Sequence, residues 1–225
     1  MMTEHEIKVG EGSVALVDVM GSALSVVNAA RVSMGKRSES FDERDKKLIK
    51  YLWTHGHTSP FRHVTFQFRI KAPIFVLRQW MKHQVGCAWN EISGRYVELD
   101  ESFWSPRVWR EQSASVKQGS GGALEQGGQI DAHFIYVEAI NAAVAAYQRL
   151  LQMGVCKEQA RALLPVATMS ECYWTCSLHA LIHFLNQRLD GHAQQEIREY
   201  AQAVSELVES VEGLPFILET CLDRS

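Results

Sequence analysis

This sequence predicts an α+β fold, a single domain in which a small central β-sheet is covered by several α-helices. Three observations predict it. Polar and apolar residues alternate strictly over 64–70, where Phe66, Phe68 and Ile70 interleave with Thr65, Gln67 and Arg69, the signature of a strand with one buried face. Helical periodicity dominates the second half, where Ile135, Ala139, Ala142, Ala143, Ala146 and Leu150 share one helix face and Ile197, Ala201, Val204, Val208 and Val211 share another. A chain of 225 residues with 46% apolar content supports one core, against a usual domain size of about 100–200 residues.

Taken in order, residues 13–20 read as a first strand. Ser40 and Glu43 form a capping-box pattern ahead of a helix that carries Leu48, Ile49, Leu52 and Trp53 inward. The alternating strand follows. Pro73 then suits the first position of a helix on which Gln79, Lys82 and His83, at i, i+3 and i+4, share a face. Residues 112–129 turn to Gly, Ser and Gln, too polar to offset ordering by burial, and read as a mobile surface loop. Cys172 and Cys176, at i, i+4 beside Tyr173 and Trp174, read as core positions of a helix.

A formal charge of −3 argues against nucleic acid as a partner, since phosphate neutralisation calls for a basic excess. No apolar run reaches the roughly 18 residues of a membrane span, and the first residues have neither the basic start nor the apolar stretch of a signal peptide. A cytoplasmic protein is expected. The five cysteines form no CxxC pair and are odd in number, as reduced thiols would be, which argues against both a disulfide framework and zinc. His55, His57 and His63 lack the acidic or cysteine partner that would complete a metal set, so no metal is expected.

The run from Gln79 to Tyr96 is the densest in chemistry. Lys82, His83 and Arg95 bring positive charge, Gln79, Asn90 and Ser93 bring neutral hydrogen-bonding groups, and Gly94 allows close backbone approach, a set suited to a phosphorylated planar ligand. Trp89 and Tyr96 flank it, which argues against a solvated loop. Cys87, alone among the cysteines in lying inside this run, reads as a small buried residue before it reads as a nucleophile.

The block Asn90-Glu91-Ile92-Ser93-Gly94-Arg95-Tyr96 resembles the signature of the flavin-dependent thymidylate synthases. The Arg-His-Arg triplet that precedes it in that family reads Lys82-His83-Gln84 here, and the spacer to Ser93 is one residue longer than usual. Glycine at 86 offers the turn or bulge that would absorb the addition. Further blocks resemble the family in its own order, from Val27 to Ser33, from His57 to His63, and from Phe184 to Gln194.

The resemblance implies FAD as cofactor, methylenetetrahydrofolate and NADPH as co-substrates, a uracil nucleotide as substrate and a homotetramer with shared sites. It implies C5 methylation without a covalent enzyme nucleophile, dUMP to dTMP first and UMP as the alternative. A nucleotide-binding module without redox chemistry is the rival from another class.

By position, the resemblance implies substrate contacts from Gln79, Lys82, Glu91, Ile92, Ser93, Gly94, Arg95, Arg161 and Arg188, and flavin contacts from Ser33, His57, Ser59, Lys82, His83, Gln84, Val85, Asn90 and Glu91. The second flavin block falls on Ser177, His179 and His183, with departures from the more usual Asn and Arg at the first two. Arg188 is implied as the catalytic residue, its guanidinium stabilising negative charge on the uracil edge; the alternative is a helix-face arginine paired with Asp190 or Glu196.

Overall fold

The computed structural model describes residues 5–98, 101–113 and 119–223. Strands β1 (His5–Val9) and β2 (Gly12–Met20) form a hairpin followed by α1 (Ala23–Arg31) and α2 (Glu43–Thr54). A 3₁₀ turn at Ser59–His63 leads into β3 (Thr65–Pro73), then α3 (Ile74–Trp80) and β4 (Cys87–Glu91). A small hairpin, β5 (Arg110–Gln112) and β6 (Ser120–Ala123), precedes α4 (Gln126–Gln152) and α5 (Lys157–Ala160). The chain finishes with β7 (Met169–Ser177), α6 (Leu178–Arg188), α7 (Gln195–Glu209) and α8 (Leu214–Cys221).

The main sheet is antiparallel in the order β1-β2-β3-β7-β4. The α+β expectation holds. One face is covered by helices and the other stays half-exposed, as the alternation in β3 requires: Phe66, Phe68, Ile70 and Ala72 are fully buried while Thr65, Gln67, Arg69 and Lys71 are not. The hairpin packs close because position 12 is glycine; a Cβ there would stand 2.0 Å from the Tyr200 hydroxyl and 2.3 Å from the Lys71 carbonyl.

Several local expectations are corrected. The α2 cap is Asp42 and not Ser40: its carboxylate accepts from the backbone N–H of Arg44 and Asp45, and the Asp45 carboxylate accepts from Asp42 N. Asp45, in turn, is held by Arg31, which anchors this register. Cys172 and Cys176 lie on a strand, β7, the direct partner of β3 through nine residue pairs. They are buried beside Trp174 as foreseen.

On α4 the expected face is mostly exposed: Ile135 is 66% accessible, Ala139, Ala142 and Ala146 are exposed, only Ala143 and Leu150 are half-buried, and Tyr147 is the buried residue. The α7 stripe from Ile197 to Val208 is buried as expected. Within 112–129 the structure places part of the β5–β6 hairpin and the first turn of α4; residues 114–118 lie outside the described residues.

Candidate active site

Helix α3 stops at Trp80, so the single helical face expected for Gln79, Lys82 and His83 does not form. The chain leaves the helix through tight turns, with Lys82 N donating to Gln79 O and His83 N to Trp80 O. This rotates the His83 imidazole inward, to 8% exposure, and leaves Lys82 and Gln84 outside. A second turn closes where Cys87 N donates to Gln84 O at 3.1 Å. Gly86 occupies its third position at φ +75°, the left-handed conformation a type II turn needs there. The predicted turn at Gly86 is therefore present.

His83 sits on an aromatic floor. Its ring meets Phe184 edge-on at 5.2 Å, Phe184 stacks on Trp80 at 4.7 Å, and Trp174 meets both edge-on. Sequence reading missed this floor, although Phe184 opens one of the family-like blocks.

From α6 two groups approach His83. The His183 ring lies 5.7 Å away, and Arg188, the last residue of the helix, donates from Nε to His83 Nε2 at 3.1 Å. Burial chiefly, with Arg188 and His183 beside it, pushes the His83 pKa down to about 4. Burial also lowers that of Arg188. The alternative partners of Arg188 are engaged elsewhere: Asp190 with His192, and Glu196 with Arg110.

The start of α6 joins this cluster. Ser177 is its N-cap, accepting from Ala180 N, and Ser177 N donates to Gly86 O at 3.0 Å. A Cβ on Gly86 would lie 2.9 Å from Ser177 Oγ. His179 meets Trp53 edge-on at 6.2 Å, and its pKa is lowered by burial, then by Arg62 and His183. Trp53 also packs on Phe61, just beyond His57 and Ser59, so that exposed loop borders the same side. Val85 projects from the turn, 89% exposed. Gln79 donates its amide to Gln194 Oε1 at the start of α7; Gln194 lies within a family-like block but was assigned no role from sequence.

The other candidates stand apart. Strand β4 begins beside Ser177, where Cys87 pairs with Cys176, and ends at Glu91 opposite Cys172. Asn90 and Glu91 are thus carried away from the turn, and Ile92, Ser93, Gly94 and Arg95 lie beyond the far end, about 17 Å along a five-residue strand. There Glu91 Oε1 accepts from Ser170 Oγ at 2.6 Å, and Arg95 donates from Nε to Ser93 Oγ at 3.3 Å. Trp89 packs on Trp174, whereas Tyr96 is exposed with the Arg95 guanidinium over its ring.

A cleft of about 410 Å³ follows this edge, lined by Asn90, Glu91, Ile92 and Tyr173. Another, of about 470 Å³, lies against α4 between Trp109 and Phe134 and holds no candidate residue. Ser33 is exposed in a 3₁₀ turn with its hydroxyl donating to Ala30 O, and Arg161 is exposed in a turn packed on α4. Cys87 is half-buried and its thiol pKa is raised by burial, which disfavours the thiolate.

Comparison with known proteins identifies the family. The profile of the family described as "Thymidylate synthase complementing protein" matches residues 15–212. The chain is 45% identical over 206 residues to the flavin-dependent thymidylate synthase of Kosmotoga olearia, covering 91% of this chain and 89% of the relative. It is 46% identical over 198 residues to that of Thermus thermophilus, covering 88% and 72%. Among solved structures, the UMP/dUMP methylase PolB from Streptomyces cacaoi bound with 5-Br dUMP superposes with a TM-score of 0.82 at 34% identity, over 94% of this chain and 95% of that one. The chain belongs to the thymidylate synthase complementing protein family, that of the flavin-dependent thymidylate synthases.

Proposed function

We propose that this chain methylates C5 of a uracil nucleotide with a bound flavin, converting dUMP to dTMP with methylenetetrahydrofolate as carbon donor and NADPH as reductant. The observation that carries the reading is the Arg188–His83 pair over an aromatic floor, bordered by the Gly86 turn and the start of α6. In balance, the methylene carbon parts from the folate nitrogens, which leave as tetrahydrofolate, and with a hydride whose electrons come from NADPH it becomes the methyl group, while the C5 proton leaves.

The donor set fits FAD. His57, Ser59, His83, Gln84, Val85, Ser177, His179 and His183 border one region and offer imidazole, hydroxyl, amide and backbone donors, with Lys82 adding charge, as a diphosphate and a polar ring edge require. When bound there, flavin supplies the redox chemistry that side chains lack. Arg188 keeps its terminal nitrogens for the uracil oxygens, because its Nε is committed to His83. It stabilises charge on the ring as C5 becomes nucleophilic. Gln79 borders the same region, while Ser93, Gly94 and Arg95 form the phosphate subsite, with Glu91 and Ile92 beside it.

The distance between that subsite and the Arg188 pair supports a homotetramer in which each site draws on more than one subunit. Ser33, Asn90 and Arg161 then reach a neighbour's site, and the exposed apolar face of α4 gives the subunits a surface to cover. Five free cysteines fit a reducing compartment, the cytoplasm.

Purified protein should carry flavin absorbance, which NADPH bleaches anaerobically, and should turn over dUMP with methylenetetrahydrofolate. Protein that neither holds nor takes up FAD would refute the reading. The likeness to a UMP/dUMP methylase supports a second reading, UMP as an additional substrate; parallel assays on the two nucleotides separate them.

A further inference from the structure

Gln79 ends a chain of hydrogen bonds whose direction is set at the other end. Arg110, on β5, donates from Nη2 to Glu196 Oε1 at 2.6 Å and from Nη1 to Gln195 Oε1. The second carboxylate oxygen, Glu196 Oε2, accepts from Gln194 Nε2 at 2.8 Å. Gln194 Oε1 accepts from Gln79 Nε2. The links come from β5, α3 and the start of α7, and Glu196 is only 9% exposed.

A primary amide donates at one end and accepts at the other, a guanidinium only donates, and an ionised carboxylate only accepts. As the partner of Arg110, Glu196 therefore requires the NH₂ of Gln194 to face it. The Gln194 oxygen must then face Gln79, and only the NH₂ of Gln79 can meet it. Reversing Gln194 would set its oxygen against the buried Glu196 carboxylate, which costs an unsatisfied group there, and reversing Gln79 would set oxygen against oxygen and lose the bond to Gln194. The end of Gln79 left over is its oxygen.

We propose that Arg110, Glu196 and Gln194 are positioning residues that hold the Gln79 amide with its oxygen toward the nucleotide, as acceptor for a donor there. That donor is either the N3–H of the base or the sugar 3′-hydroxyl. The inference rests on the reading that this chain binds a uracil nucleotide beside Gln79.

The test is calorimetric titration of dUMP into the FAD-loaded protein and four variants: Gln79→Ala, Glu196→Gln, Gln194→Met, and Gln79→Ala combined with Glu196→Gln. Glutamine at 196 can face Gln194 either way round, so it no longer dictates polarity. Each single variant should weaken dUMP roughly tenfold, the scale of one lost hydrogen bond. Added to Gln79→Ala, the 196 change should cost less than twofold more, and flavin affinity should stay at the wild-type value throughout.

Two analogues identify the donor. If it is N3–H, wild type discriminates against 3-methyl-dUMP and Gln79→Ala does not; if it is the hydroxyl, the same holds for the 3′-deoxy nucleotide. Fully multiplicative losses in the double variant, or wild-type affinity in Gln194→Met, would overturn the proposal. Position 194 is exposed, so that variant decides the matter even if Glu196→Gln misfolds. Wild-type dUMP affinity in Gln79→Ala overturns the positioning role alone, whereas a wild-type protein that binds no uracil nucleotide takes the functional reading down with it.

Discussion

Arg188 donates from Nε to Nε2 of His83 across 3.1 Å, and this bond fixes the protonation of the imidazole. A guanidinium has no lone pair to offer, so Nε2 must accept, which places the histidine proton on Nδ1 and leaves the ring neutral. The pKa of about 4 for His83 agrees. Arg188 is consequently the cation of the pair, and His83 serves as an acceptor that orients it.

Arg188→Ala should lower turnover at saturating nucleotide at least tenfold, since losing a bond to a charged group costs ~1.5–3 kcal/mol, while FAD stays bound. Arg188→Lys should not rescue it, because an ammonium cannot hold His83 and present a planar fork together. Steady-state kinetics with flavin absorbance check both; near-normal turnover in either variant counts against a catalytic Arg188.

Acid should destabilise the protein through His83. Its folded pKa of about 4 lies below the usual 6.5, so the unfolded chain takes up a proton that the native chain refuses over that interval. The contribution is full above pH 6.5 and is lost as pH falls toward 4. His179 shifts in the same direction. In thermal melts between pH 7 and 4.5, His83→Asn should lose less stability than wild type, and equal slopes would contradict the assignment.

Gly86→Ala should destabilise the fold by ~1–2 kcal/mol, the cost of a side chain in the left-handed region. The new Cβ also meets Ser177 Oγ at 2.9 Å, disturbing the cap of α6. Urea unfolding measures the first effect. Flavin titration should show weaker binding, since the displaced turn and cap both border the region proposed to hold the flavin.

Phe184→Ala should cost ~3–5 kcal/mol, as large-to-small changes at buried aromatics do. Phe184 is fully buried and touches Trp80, Trp174 and His83. Denaturant unfolding checks the size; a loss below ~1 kcal/mol would mean the floor collapses to refill the space.

The sequence by itself determined whatever a local period or a backbone constraint encodes. Strict alternation in β3 leaves one way to bury Phe66, Phe68 and Ile70, the α7 stripe leaves one buried face, and glycine at 86 accepts the φ that the turn imposes. Strand β7 escaped because positions four apart share a face in a helix and in a strand alike, so Cys172 and Cys176 could not tell the two apart. Trp174, two from each and on the same side only in a strand, was the discriminating residue.

What only the tertiary structure decided was pairing across distance. His83 turned inward when α3 ended at Trp80, and Arg188, 105 positions away, met it because α6 packs over the same aromatic floor. Arg110 and Glu196, 86 positions apart, are joined for the same kind of reason. Periodicity says which side of an element is buried but carries no record of which other element covers it, and that choice belongs to the packing of the whole chain.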